Sequence, residues 1–196
     1  MISKLAKSIA HFFVVQNITE ESKEMIYAYG MELLISDVLN TIIVLLIALF
    51  SHTLPAVVVF IAVFMGLRQF VGGFHANSHL SCMFTLVMVM MVFSYGICNV
   101  SGHITPIFSI SFIMIALPII LCIAPVPHPN KPMSEEKSVK LRKRSCILAV
   151  TLSVVTIALL VFQYQKLSLY VSSGMLLSAI MALLGHFLNR GDNSKR

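Results

Sequence analysis

Residues 83–124, MFTLVMVMMVFSYGICNVSGHITPIFSISFIMIALPIILCIA, hold no Asp, Glu, Lys or Arg. The run breaks once, at Ser101-Gly102-His103, into apolar blocks at 83–100 and 104–124. A bilayer core about 30 Å thick takes ~20 helical residues, so each block matches one crossing. Periodicity cannot separate strand from helix in such runs. Their length favours helices, as does the need to satisfy every backbone polar group inside lipid. Working outward, further apolar blocks lie at roughly 31–50, 54–67, 146–163 and 167–188. The block at 54–67 is the weakest and is short enough to be re-entrant. Tight breaks fall at Ser51-His52-Thr53 and from Gln163 to Lys166, whereas Pro125–Ser145 is a long polar connection.

The composition agrees with that reading. Of 196 residues, 58% are apolar and 11% charged, with no Trp, and the mean hydropathy is +0.91. A soluble domain runs nearer ~45–50% apolar and ~25% charged. A conventional soluble enzyme and a nucleic-acid-binding tail protein are both excluded, and four scattered cysteines give no disulfide framework. The expected fold is all-α: a polytopic integral membrane protein with about six transmembrane helices and an N-terminal amphipathic segment.

The net charge of +6 becomes an orientation once the basic residues are placed. Three precede the first span (Lys4, Lys7, Lys23), and one follows the second (Arg68). Six lie in the 125–145 connection (Lys131, Lys137, Lys140, Arg142, Lys143, Arg144), and three in the tail (Arg190, Lys195, Arg196). The intervening connections hold only Lys166, so 13 of 14 basic residues fall on alternate connections. The positive-inside rule then predicts six spans with both termini cytoplasmic. The organisation expected is a single membrane domain over 1–196. It comprises a cytoplasmic segment at 1–30, spans one and two at 31–67, a polar segment at 68–82, spans three and four at 83–124, a basic loop at 125–145, spans five and six at 146–188, and a tail at 189–196. The N-terminus is not read as a signal peptide: Ile2, Leu5, Ile9 and Phe12 recur at helical spacing with Lys4 and Lys7 opposite. A helix lying on the inner leaflet and one packed on the bundle both suit that pattern.

Chemistry concentrates in Arg68-Gln69-Phe70-Val71-Gly72-Gly73-Phe74-His75-Ala76-Asn77-Ser78-His79-Leu80-Ser81-Cys82. Polar and ionisable groups at a membrane boundary point to function, and Gly72-Gly73 permits a sharp turn. A nucleophilic cysteine needs a base to hold it as thiolate, and His is the usual partner. On one straight helix His75 and Cys82 would share a face about 10 Å apart, too far for proton transfer. His75 is therefore expected on the non-helical part, with Asn77 or Ser78 capping a helix that starts near Cys82. His79, three residues from Cys82, competes as the base. His75 and His79 have metal-ligand spacing but lack a carboxylate, so no metal and no cofactor is expected. Read without further context, a catalytic pair, a substrate or ion path and plain packing all stay open.

The run Arg68…Gly72-Gly73-Phe74-His75…Cys82 resembles the signature of the accessory gene regulator B (AgrB) family of quorum-sensing peptide-processing membrane proteases. Chain length, six spans, the acidic N-terminal segment and the loop beginning Ala124-Pro125-Val126-Pro127-His128-Pro129-Asn130-Lys131-Pro132 extend the likeness over nearly the whole chain. The resemblance implies a cysteine endopeptidase with Cys82 as nucleophile and His75 as base, Arg68 and Gly73 matching other functional positions. It also implies an AgrD-like precursor peptide as substrate. Its acidic tail would be released through an acyl-enzyme, and its central segment closed to a thiolactone or lactone.

Asp37 is expected to pair with Arg68 or His75, the alternative being that it snorkels with Glu32. The oxyanion donor is read as a backbone N–H near Cys82 or the Arg68 side chain. The basic residues from Lys131 to Arg144 suit either the peptide's acidic tail or anionic lipid. Partners expected are thus the precursor peptide and membrane lipid, with a homodimer as a further candidate and no nucleic acid. Cys98 and Cys122 read as fillers, Cys146 as a site where acylation is conceivable, and Gly174 with Ser172, Ser173 and Ser178 as a close-packing face. Two rival classes are a peptide or ion transporter and a non-catalytic sensor module.

Overall fold

The computed structural model describes residues 2–16, 18–72, 79–126 and 135–193. Seven α-helices follow in chain order: α1 (Ile2–Val15), α2 (Glu24–Phe50), α3 (Leu54–Val71), α4 (His79–Met91), α5 (Thr105–Ile123), α6 (Glu135–Val161) and α7 (Gln165–Asn193). Among the described residues there is no strand, only one isolated bridge. Five helices are long and apolar enough to cross a membrane, and Phe84–Asn99 forms a shorter apolar one. The protein is a helical membrane protein, as its composition requires.

Helix bounds differ instructively from the hydropathy blocks. The weak second block is a continuous 18-residue helix, α3, reaching Val71. Hydropathy stops at Arg68 and Gln69, but the backbone does not: long polar side chains at a helix end extend to the boundary while their stems stay apolar. Pro55 sits in the first turn, where its missing N–H costs nothing. The third block is the irregular one, since α4 passes into a π-turn at Val92–Gly96 and a 3-10 turn at Ile97–Asn99. The basic connection is half helix: α6 starts at Glu135, so Lys137, Lys140, Arg142, Lys143 and Arg144 ride on its first turns.

The helix ends gather at two levels. At one, Thr53 Oγ1 donates to Ser94 Oγ at 3.2 Å, joining the α2–α3 connection to the π-turn of α4. At the other, Val126 N–H donates to Val71 O at 2.9 Å, joining the segments that leave α5 and α3. We call these the Thr53 end and the Arg68 end. By chain position, Lys166 belongs to the Thr53 end and the other basic residues among the described ones to the Arg68 end.

The most enclosed span is α7. Lipid tails are as apolar as leucine, so helices associate in a membrane through close packing and buried hydrogen bonds rather than hydrophobic transfer. The α7 face supplies both. A Cβ on Gly174 would stand 2.9 Å from Phe60 O, so α3 and α7 approach as closely as backbone allows. Ser178 Oγ donates to Gly174 O at 3.0 Å and lies 3.4 Å from Phe64 O across the helix pair. Ser109 and Ser168 share a buried 3.1 Å hydrogen bond between α5 and α7. This is the small-residue face read from Ser172, Ser173, Gly174 and Ser178. Large apolar side chains such as Ile107, Met114 and Val154 point outward, toward lipid.

Two apolar clusters fill the interior. Toward the Arg68 end, Leu67, Val71, Ala116, Ile120, Ala149, Met175, Ala179 and Ala182 join α3, α5, α6 and α7. Toward the Thr53 end, Val44, Ala48, Val57, Phe60, Met90 and Phe93 join α2, α3 and α4. Phe93 stacks on Phe60 at 4.2 Å and meets Tyr170 edge-on. Helix α1 packs against the start of α2 through buried Ala6 and Ala10, with Phe13 on Tyr27 and His11 Nδ1 3.4 Å from Glu24 Oε1. Of the two expectations for this segment the structure bears out the packed helix, and Leu5 and Phe12 on α1 remain exposed.

Candidate functional site

The polar segment runs from the end of α3 to the start of α4, and the cap of α3 follows from local sequence. Arg68 lies in the last turn of α3, its guanidinium 5.4 Å above the Phe64 ring. A cation on an aromatic face keeps part of its stabilisation when water is scarce. Gly72 ends the helix at φ 72°, ψ −154°, its N–H donating to Arg68 O at 3.0 Å. A Cβ there would lie 2.5 Å from Val126 O. Gly72 is thus required twice, by a left-handed φ and by contact of backbone on backbone.

The Gly72–Val126 bridge is parallel. Together with the Val126 N–H bond to Val71 O, it stitches the root of the 73–78 segment to the root of the 127–134 segment. Sequence reasoning treats these as separate signals, one carrying His75 and the other the Pro/Lys run. The fold makes them neighbours at their origin. No spacing rule could have revealed this, because the two positions are 54 residues apart in the chain. The Gly72-Gly73 pair was the one available hint.

Cys82 is the fourth residue of α4, which begins at His79. It therefore lies in the first turn, where unpaired N–H groups and the helix dipole favour a thiolate. The side chains of Cys82, His79 and Asp37 lie outside the described residues, as do His75 and Gly73 altogether. The suggested caps Asn77 and Ser78 are also outside them. Asp37 lies at the middle of α2, 13 residues from either end of that helix.

Lys140, Arg142, Lys143 and Arg144 are exposed on the outer side of α6, while Ser145 and Ala149 face inward. Lys131 and the Lys137 side chain fall outside the described residues. Positive charge in the first turns of a helix opposes its dipole, and only Glu135 and Glu136 offset it locally. Cys98 and Cys146 are partly buried and Cys122 exposed, all three as free thiols.

Fold and site together define a helical membrane protein with its polar chemistry gathered where α3 ends and α4 begins. The sequence profile of the accessory gene regulator B family matches residues 3–182, and the chain belongs to that family. Membership ties it to the processing of quorum-sensing peptides. A protein of Clostridium beijerinckii described as AgrB-like is 24% identical over 145 residues, covering 72% of this chain and 71% of its own. No solved structure matches the chain at a significant level.

Proposed function

We propose that the protein is a membrane-embedded cysteine endopeptidase that trims an AgrD-like precursor and closes its central segment into a ring. The observation that carries the reading is the family match across residues 3–182, which takes in the whole Arg68-to-Cys82 motif. The start of α4 at His79 supports it, because it sets Cys82 in a helix's first turn.

In the first step His75 takes the Cys82 proton, and the thiolate adds to the carbonyl between signal and tail. The tetrahedral intermediate collapses, and the tail's amine leaves with the proton from His75. A thioester to Cys82 remains. A thiol or hydroxyl of the bound peptide then gives its proton to the now neutral His75 and attacks that thioester, expelling the Cys82 thiolate as the ring closes. Exchange of one thioester for another is close to energy-neutral, so no ATP is needed. Water must be kept out, since hydrolysis would discharge the acyl-enzyme unclosed.

Arg68, Gly73 and Asp37 take supporting roles in this scheme. Arg68 and Asp37 offer opposite charges on neighbouring elements, and Gly73 matches a further position of the family motif. The basic face of α6, Lys137, Lys140, Arg142, Lys143 and Arg144 with Lys131 before it, attracts the acidic tail or the anionic lipid surface. The whole chain acts as one domain in a bacterial cell membrane, with both termini and the Arg68 end cytoplasmic.

The test is co-expression of a candidate precursor with wild type, Cys82→Ser and His75→Ala, with products followed by mass spectrometry. Both variants should accumulate uncleaved precursor while the protein stays at its normal level in the membrane. Cleavage persisting in Cys82→Ser would sink the protease reading in favour of a transporter or sensor.

A further inference from the structure

Helix α6 carries three of its cations on the face it turns to lipid. Its inward stripe is Ser145, Ala149, Ser153 and Thr156, all buried. Ile147, Val150, Val154 and Ile157 are exposed and form the lipid-facing stripe. Lys143 precedes Ile147, Val150 and Val154 by four, seven and eleven residues, and Lys140 precedes Ile147 by seven. Arg144 precedes Ile147 by three, and exposed Thr151 and Val155 by seven and eleven. Such intervals keep residues on one side of a helix, so all three cations continue the lipid-facing stripe. On the inward side, Ala149 packs with Leu67 and Val71 of α3. The cationic stripe is therefore turned away from the end of α3 that carries Arg68.

The same cations stand at the height of a membrane surface. Arg144 precedes Val161, the last residue of α6, by 17 residues. At about 1.5 Å per residue that is about 26 Å, against ~30 Å for the hydrocarbon of a bilayer. With Val161 at the boundary of the Thr53 end, the long stems of Lys140, Lys143 and Arg144 bring their charged heads to the headgroups of the other leaflet. Val139, 68% exposed, lies on the same side four residues before Lys143. An exposed valine among cations suits the zone where hydrocarbon meets headgroup. Among the described residues, no carboxylate pairs with any of the three cations. Glu136, one turn before Lys140, is exposed and makes no ion pair with it.

We propose that Lys140, Lys143 and Arg144 form a binding site for the phosphate of an anionic lipid whose acyl chains lie along Ile147, Val150 and Val154. Of the two partners considered above for the basic run, these three residues take the lipid, and the assignment is independent of the protease reading. A peptide tail bound at the Arg68 motif would meet the other side of α6. A phosphate offers several acceptor oxygens, enough for two ammonium groups and a guanidinium, the last in bidentate fashion. Each cation close to an anionic leaflet adds to the attraction. The apolar stripe beside them holds the lipid's chains at the same place, which a soluble anion cannot use.

The chain has no Trp, so a single introduced indole reports the lipid beside it. Val150→Trp places one on the stripe, and Ile157→Trp, exposed on the same face toward the Thr53 end, is the reference. Each full-length chain is reconstituted in vesicles of equal parts phosphatidylcholine and phosphatidylglycerol, with bromine on the acyl chains of one lipid or of the other. Quenching at Val150→Trp should show a preference for phosphatidylglycerol about threefold or more above that at Ile157→Trp. Combining Val150→Trp with Lys140→Gln, Lys143→Gln and Arg144→Gln should bring the preference down to the reference value. Lys4→Gln, Lys7→Gln and Lys23→Gln together remove the same charge elsewhere and should leave it intact. Equal preference at the two positions overturns the proposal, as does an equal fall with either set of three substitutions. A preference that survives loss of Lys140, Lys143 and Arg144 also overturns it; a raised KM for precursor cleavage in that chain would give the stripe to the peptide's acidic tail. Cleavage by a Cys82→Ser chain would remove the protease reading and leave the lipid result standing.

Discussion

Gly72 is where the sequence constrains the backbone most tightly. Its φ of 72° excludes most side chains, and the 2.5 Å approach of an added Cβ to Val126 O excludes the rest. The left-handed conformation alone costs a non-glycine residue roughly 1–2 kcal/mol, and the collision adds to that. Gly72→Ala should therefore lower the thermal midpoint in detergent by at least several degrees and slow precursor cleavage. A melting curve and an activity assay unchanged from wild type would show that the Gly72–Val126 stitch does not hold this end together. The glycine pair was legible as a turn from the sequence. That Gly72 adopts a positive φ, and what it touches, was not, because the answer depends on contact with Val126, 54 residues away in the chain.

At the scale of elements, five of the six hydropathy blocks coincide with helices long enough to span and the block at 83–100 with a shorter apolar helix, while the ends of the blocks differ from those of the helices. Arg68 and Gln69 look like loop residues in a hydropathy reading, yet α3 carries them, since a helix end can place long polar side chains at the membrane boundary. The run from Lys137 to Arg144 reads as loop by charge and is helix by backbone. Charge density decides solvation, while helix propensity, high for Lys, Arg and Leu, decides conformation. The pairing of α3 with α7 depends on Gly174, whose added Cβ would meet Phe60 O at 2.9 Å and Val63 side-chain carbons at 3.1 Å. Overpacking such a contact costs about 1–3 kcal/mol. Gly174→Leu should reduce the amount of folded protein and its melting temperature, with Gly174→Ala intermediate. Equal stability across the three chains would mean that α3 and α7 separate without cost.

For the molecule as a whole, the distribution of basic residues sets orientation and the packing sets the site. If the Arg68 end is cytoplasmic, a membrane-impermeant maleimide applied to intact cells should label Lys166→Cys and leave Lys140→Cys unlabelled, in a chain without other cysteines. Permeabilised cells should label both, and the reverse pattern in intact cells would invert the topology. By itself the sequence determined the helical membrane class, the places where spans break, the charge asymmetry and the Arg68-to-Cys82 motif. These follow from local properties: apolar length against bilayer thickness, and residue types within a few turns of one another. Tertiary structure alone decided that the segments leaving α3 and α5 share a root at Gly72 and Val126, and that α7 packs on α3 and α5 through Gly174 and Ser168. Such relations depend on how helices distant in the chain pack in space. Close backbone approach through glycine and serine, rather than any sequence-local pattern, sets that packing in lipid.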